Sequence, residues 1–383
     1  MIKRILTVTA TVLLLPLFNI QACANVNEGY ADAQQYYSEQ FEASGASELS
    51  EYLDKNTKEY LKKIGCTDAD KESIMSFSLK SVFEVLLDIL RANISEPLKG
   101  CLTACGAVML VSVCTGFFPD DEKTKGMLNL ICGSFVMISV FIPASGALRS
   151  GVSAMKLCAA FEKALIPVLA AVLTVSGNPA AAVSYQGAAF AAAQAVELFA
   201  ENTVLPLVLV TGVIGAVGAF LPTLKLSAVS DLLRKTTQTV TGVVASLFAG
   251  FITIKNVVAG SADGLTAKGI KLVTSTFVPV VGGALNEAYS ALSGSLSLLK
   301  SVVGVYGIIA VAAMIVPSVI SLALWILAMR MAGTVSELLG NSQCAEILKN
   351  ISYMFSMLNA ILIFSAAVFI VSSGVVAGLK TGG

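Results

Sequence analysis

The sequence predicts an all-α polytopic membrane protein with six to eight transmembrane helices, an internal duplication containing broken or re-entrant helical segments, and an exported amphipathic helical N-terminal segment. Two observations establish the membrane class: 56% of the 383 residues are hydrophobic and only 13% charged, and the mean hydropathy is +0.80, outside the range of soluble globular chains. A third is the placement of charge. Residues 25–99 carry 14 acidic and 8 basic residues, whereas residues beyond 100 carry 15 basic and 11 acidic ones scattered between apolar runs. No basic block is dense enough to suggest nucleic acid.

Residues 1–24 read as a secretory signal. Lys3 and Arg4 form a positive start, Ile5–Phe18 an apolar core, and Ala22-Cys23-Ala24 a small-residue cleavage site with cleavage after Ala24. The alternative is lipoprotein processing at Cys23. Either route starts the mature chain outside the cytoplasm. Residues 25–99 then form an exported acidic segment: a flexible polar leader to residue 46, followed by helices. Leu49, Tyr52, Leu53, Tyr60, Leu61 and Ile64 recur at helical spacing, and Leu79, Val82, Leu86, Leu90 and Ile94 make a second stripe opposite Lys80, Glu84, Asp88 and Arg91. That stripe needs a membrane surface or a partner to lie on.

Residues 100–149 are expected to form a transmembrane hairpin. Gly100–Pro119 is uncharged and long enough to cross, the turn Asp120-Asp121-Glu122-Lys123 follows, and Met127–Leu148 crosses back to end at Arg149. Residues 150–254 form a first membrane repeat. Within it, 33 uncharged residues from Ala164 to Val196 are interrupted by Pro167, by Gly177-Asn178-Pro179 and by Ser184-Tyr185-Gln186. Asn202–Leu224 and Thr236–Ile254 are spans. If residues 164–196 enter and leave on one side, Lys225, Arg234 and Lys235 fall in the cytoplasm, as the charge rule prefers.

Residues 255–380 form the second repeat, with long spans at Ser301–Met329 and Ile351–Leu379. The same re-entrant reading of residues 256–300 puts Arg330 and Lys349 inside and the C-terminus outside. An internal echo supports duplication: Gly212–Pro222 precedes Gly307–Pro317 by 95 residues with matching glycine, proline and apolar character, and Thr239-Val240 answers Thr334-Val335 at the same offset. Proline-broken segments, Ile166-Pro167-Val168 and Val278-Pro279-Val280, precede the long spans, although their spacing differs by 17 residues.

The stretch FVPVVGGALNEAYSALSGS, residues 277–295, is interrupted by Pro279, Gly282, Gly283 and Glu287 well short of the ~20 residues a crossing helix needs. Two readings stay open. Paired interrupted segments line pores or transport sites, because irregular backbone survives at membrane depth only where protein or water satisfies it. A proline kink with glycines for close helix packing accounts for the same residues. The candidate pore or broken-helix elements are therefore Pro167, Gly177, Pro179, Pro279, Gly282, Gly283 and Glu287.

No catalytic or metal site is predicted, and no cofactor. The chain has no histidine, which removes the Ser-His-Asp triad and histidine-based zinc and haem ligation. Asp231 and Asp263 sit near span ends beside Arg234/Lys235 and Lys268 and read as solvated charges, as do Glu197, Glu201 and Glu287. No Gly-rich loop ends in Gly-Lys-Ser/Thr, so nucleotide energy must come from another chain. The eight cysteines fall mostly in apolar spans, or, for Cys158 and Cys344, in short connections. Cys101 and Cys105 share a helix face as small packing residues.

The exported signal, the Phe277-Val-Pro-Val-Val-Gly-Gly-Ala-Leu-Asn-Glu287 stretch preceded by Asp263, Lys268 and Lys271, the Leu205-Pro206 span start and the order of spans resemble the stage III sporulation protein AE family over roughly residues 75–380. The abundance of membrane cysteines departs from the family's pattern. The resemblance implies a multi-pass component of a secretion-like channel in the mother-cell membrane around the forespore, required for endospore development after engulfment. Its implied partners are ring-forming membrane proteins and a separate cytoplasmic ATPase, with membrane lipid around it and no nucleic acid. Two other functions fit the residues: a secondary transporter of a small solute with its site between the broken helices, and a passive membrane scaffold.

Overall fold

A computed structural model describes residues 31–70, 73–74, 78–117, 122–175, 182–183, 191, 195, 198–220, 226, 228–244, 246 and 282–378. The elements among them are helical, with no strand. Ala22, Cys23, Ala24, Gly177, Pro179, Glu197, Asp263 and Pro279 lie outside the described residues.

The first described element is α1 (Ala31–Ala43), in the stretch where a flexible leader was expected. Tyr37 and Phe41 explain the order: their rings stack with centroids 6.2 Å apart and both pack against the core. A 3-10 helix (Ala46–Tyr52) buries Ala46 and Leu49. Helix α2 (Lys55–Ile64) starts at Asp54, whose carboxylate accepts from the Asn56 N–H at 3.2 Å and from the Thr57 hydroxyl. It stops at Gly65, with φ 82, where the Cys66 N–H bonds the Leu61 carbonyl and the Gly65 N–H the Lys62 carbonyl. This Schellman geometry needs a left-handed residue, which glycine adopts without a Cβ penalty.

Among the described residues, four helices are long and apolar enough to cross a membrane. They lie within α3 (Leu79–Phe117), α4 (Glu122–Val175), α7 (Gly282–Leu338) and α8 (Ser342–Gly378). Between α4 and α7 come a π turn (Ala200–Val204), the apolar α5 (Leu205–Phe220) and α6, residues 228–244. Helix α4 has 54 residues and α7 has 57, so each is about 80 Å long against a hydrocarbon core of about 30 Å. Both must leave the apolar layer while remaining helical. Arg149, expected to end a span, lies inside α4 instead, as does Cys158, expected in a connection. Cys344 likewise sits in the first turn of α8.

The core lies where α4, α7 and α8 meet. Gly151 of α4 faces Leu322 and Leu358, Gly307 of α7 faces Leu165, and Phe161 and Phe369 meet edge to face at 6.5 Å. Trp325 stacks on Phe355 at 6.0 Å with 19° between planes. Helix α3 joins this core through Val85, Ile89, Cys101, Ala104 and Val108. The expected stripe on its first half is turned: Val85 and Ile89 are buried, while Leu90 and Ile94 are exposed. The elements before α3 cover one end of the bundle, where the Tyr306 hydroxyl donates to the Thr67 carbonyl at 3.4 Å.

Candidate functional site

The sequence-predicted elements that fall on described residues are distributed along two helices. Pro167 lies inside α4 and is exposed, with helix on both sides of it. Gly282 and Gly283 are the first two residues of α7, and Glu287 belongs to its second turn. The two members of the internal echo meet different neighbours: Gly212 of α5 abuts Met354 of α8, and Gly307 of α7 abuts Leu165 of α4.

The structure gathers its polar side chains elsewhere, at the α7–α8 turn. Gly340 makes that turn possible, with φ 76. The Asn341 N–H bonds the Ser336 carbonyl and the Gly340 N–H bonds the Glu337 carbonyl, both at 3.0 Å, and the Asn341 side chain caps α8 by accepting from the Cys344 N–H at 3.2 Å. Ser336, fully buried, returns its hydroxyl to the Asn341 carbonyl at 2.8 Å. This fixed turn presents Glu337 and Lys349, which form an ion pair.

Arg234 of α6 reaches across to α8 and is held three ways. Its guanidinium donates to the side-chain amide oxygen of Asn350, lies 4.6 Å from the centroid of the Tyr353 ring, and approaches Asp231 at 3.7 Å. The Tyr353 hydroxyl closes the loop by donating to the Arg234 carbonyl at 3.3 Å. Gly215 of α5 allows Asn350 and Ser230 to approach, since a Cβ there would lie 2.8 Å from one and 3.0 Å from the other. Planar guanidinium chemistry suits this setting, because it stacks and donates in a fork at once. Together Ser230, Asp231, Arg234, Glu346 and Asn350 line much of a cavity of about 360 Å³ beside the turn.

Further polar groups run up the interior. The Arg330 Nε donates to Ser352 at 3.3 Å, and Ser352 lies 3.5 Å from the Ile326 carbonyl. Ser318 and Ser150 join α7 to α4 at 3.2 Å. Asn359, 1% exposed, has neither amide atom hydrogen-bonded. At the other end Lys300 is 1% exposed and engaged within the fold, and the Cys158 thiol donates to buried Glu162 at 3.6 Å. Among the described residues no three of histidine, cysteine, aspartate or glutamate converge as a metal site.

Sequence reasoning missed this cluster because it treated Arg234 and Lys349 as topology markers. The available signal was the isolated polar residue in an apolar run: Asn350 and Asn359 in α8, Lys300 before Ser301, and Glu162 before Ala164.

Comparison with protein families matches residues 56–379 to stage III sporulation protein AE. The chain is also 26% identical over 237 residues to the stage III sporulation protein AE of Bacillus subtilis (strain 168). That match covers 60% of this chain and 59% of the relative, less than two thirds of its length. No solved structure matches.

Proposed function

The chain belongs to the stage III sporulation protein AE family, and from that premise we propose that it is an integral membrane component of a secretion-like channel joining the mother cell to the forespore. The family match across residues 56–379 carries this reading. It is supported by four long apolar helices packed on one another and by the placement of buried polar groups along their interior. The protein acts by forming part of a path and its scaffold rather than by transforming a substrate.

On this reading the protein resides in the mother-cell membrane around the forespore, with the acidic residues 25–99 facing the space between the two membranes. Ring-forming subunits and a separate ATPase supply the rest of the assembly. The full complement is six to eight spans in two repeats, with Pro167, Gly177, Pro179, Pro279, Gly282, Gly283 and Glu287 as the pore-side or broken elements.

Deletion of the gene in its sporulating host, followed by membrane-dye microscopy, tests the role. Forespores that engulf and then shrink and stall, with normal vegetative growth, are the expected result. Normal spores with a nutrient-uptake defect would replace the channel by a solute transporter.

A further inference from the structure

We infer that the cavity beside the α7–α8 turn holds the head of a phosphoethanolamine lipid, its phosphate meeting the Arg234 guanidinium and an acyl chain lying on the exposed face of α7. The inference rests on the chain spanning a membrane and not on the channel reading.

Arg234 sets the chemistry. Its terminal nitrogens serve Asn350 and Asp231 and its plane meets the Tyr353 ring, while the buried Nε has no acceptor among the described residues. A buried donor left unbonded is costly, so this edge of the guanidinium calls for an oxygen. The side chain is 23% exposed and lines the cavity of about 360 Å³, so an oxygen entering the cavity comes to it. Phosphate suits a guanidinium, because its charged oxygens take forked, charge-assisted donors. Lys349 and Ser342 line the same cavity. They add a second cation and the first residue of α8, the positive end of a 37-residue helix.

The remaining charges choose the head. Asp231, Glu337 and Glu346 also line the cavity, which leaves the lining one charge negative. A bare phosphate or a net-anionic lipid head would add to that excess. A phosphoethanolamine head brings its own ammonium and adds none.

Helix α7 places the tail. Leu327, Met331 and Leu338 are 48%, 56% and 82% exposed, and their spacing puts them on one face. Thr334, between them, returns its hydroxyl to the Arg330 carbonyl at 3.0 Å, so this face requires no water. From Leu327 to Leu338 the helix runs about 16 Å, against ~15 Å for one leaflet of the hydrocarbon core. An apolar strip one leaflet deep, ending at a polar cavity, has the dimensions of a phospholipid.

The test uses the full-length protein in dodecyl maltoside and a phosphatidylethanolamine carrying a diazirine in its acyl chain. After illumination, mass spectrometry compares the peptide bearing Leu327 and Met331 with the exposed stretch of α3 around Leu102 and Met109. Preferential labelling of the α7 peptide is expected. Unlabelled phosphatidylethanolamine should displace the label, phosphatidylglycerol should do so less well, and diacylglycerol or inorganic phosphate at the same concentration should not. Arg234→Lys keeps the charge but has no Nε, and should lower the affinity about tenfold, as the loss of one charge-assisted contact implies. Trp325 emission shows whether that variant is folded, and displacement from the wild type decides the matter without it. Equal labelling of α3 and α7, displacement by diacylglycerol or by inorganic phosphate, equal displacement by the two phospholipids, or unchanged affinity in folded Arg234→Lys would each overturn the inference. So would a protein adduct from p-benzoylphenylalanine at position 331 in the sporulating host, where a lipid adduct is expected.

Discussion

Gly100 of α3 lies directly against the indole of Trp325 in α7, so close that a Cβ at position 100 would collide with the six-membered ring. Trp325 cannot yield easily, because it is 2% exposed and stacked on Phe355. The contact therefore sets the distance between the first long helix and the α7–α8 pair. Gly100→Ala is predicted to destabilise the bundle by about 1–3 kcal/mol through overpacking. Trp325 is the chain's one tryptophan, so intrinsic emission in detergent reports this joint directly. A red shift and a lower melting temperature are expected, with partial recovery when Trp325→Leu is added.

Gly212 and Met354 form a more forgiving contact. A Cβ at position 212 would strike the Met354 thioether, but methionine is unbranched and can shift. Gly212→Ala should cost little, Gly212→Val should separate α5 from α8, and Met354→Ala should restore the valine variant. Thermal unfolding of the three proteins checks the order.

Arg234 should not tolerate lysine. Lysine keeps the charge but loses the forked donor and the flat face that meet Asn350 and Tyr353. Arg234→Lys is predicted to cost more than about 1 kcal/mol. A double-mutant cycle with Asn350→Ala should show coupling between the two positions, and purely additive losses would contradict the contact.

How much of this was legible beforehand depends on what each signal measures. Hydropathy located the apolar lengths of α3, α4, α7 and α8, because burial in lipid and burial in protein use the same side chains. It could not locate helix ends. Arg149 lies inside a continuous 54-residue helix, so a charge was read as a boundary where the hydrogen bonds do not stop. The N-terminal order was hidden for the converse reason: α1 is held by Tyr37 and Phe41 against distant parts of the chain, which local polarity does not reveal. The Arg234 cluster joins residues 116 apart, and no local pattern encodes that pairing.

Asn359 offers a test of the bundle interior. Its amide is buried in α8 with neither atom bonded, a condition that costs about 1–3 kcal/mol. Asn359→Leu, of similar volume, is predicted to raise the melting temperature in detergent. A fall would contradict the unbonded geometry and mean that the amide is engaged in the native state.

Cys66 gives the segment before α3 a pH dependence. Burial pushes its thiol up to about 12, with Asp70 and then Asp68 adding to the shift, whereas the unfolded chain should titrate near ~8.5. The folded state then holds more protons between those values. Its contribution to stability is complete below the unfolded pKa and is lost as pH rises toward the folded one. Burial raises the Tyr60 pKa as well, in the same sense. The melting temperature should decline between roughly pH 8.5 and 11, and Cys66→Ala should flatten part of that decline. An equal slope in both proteins would exclude Cys66 as its source.

The central claim, a path between two compartments, is tested most directly by following a small photoactivatable dye released in the mother cell and measuring its arrival in the engulfed forespore. The account predicts transfer in the wild type and its loss in the deletion strain, with recovery on complementation. Equal transfer in the presence and absence of the protein would contradict it.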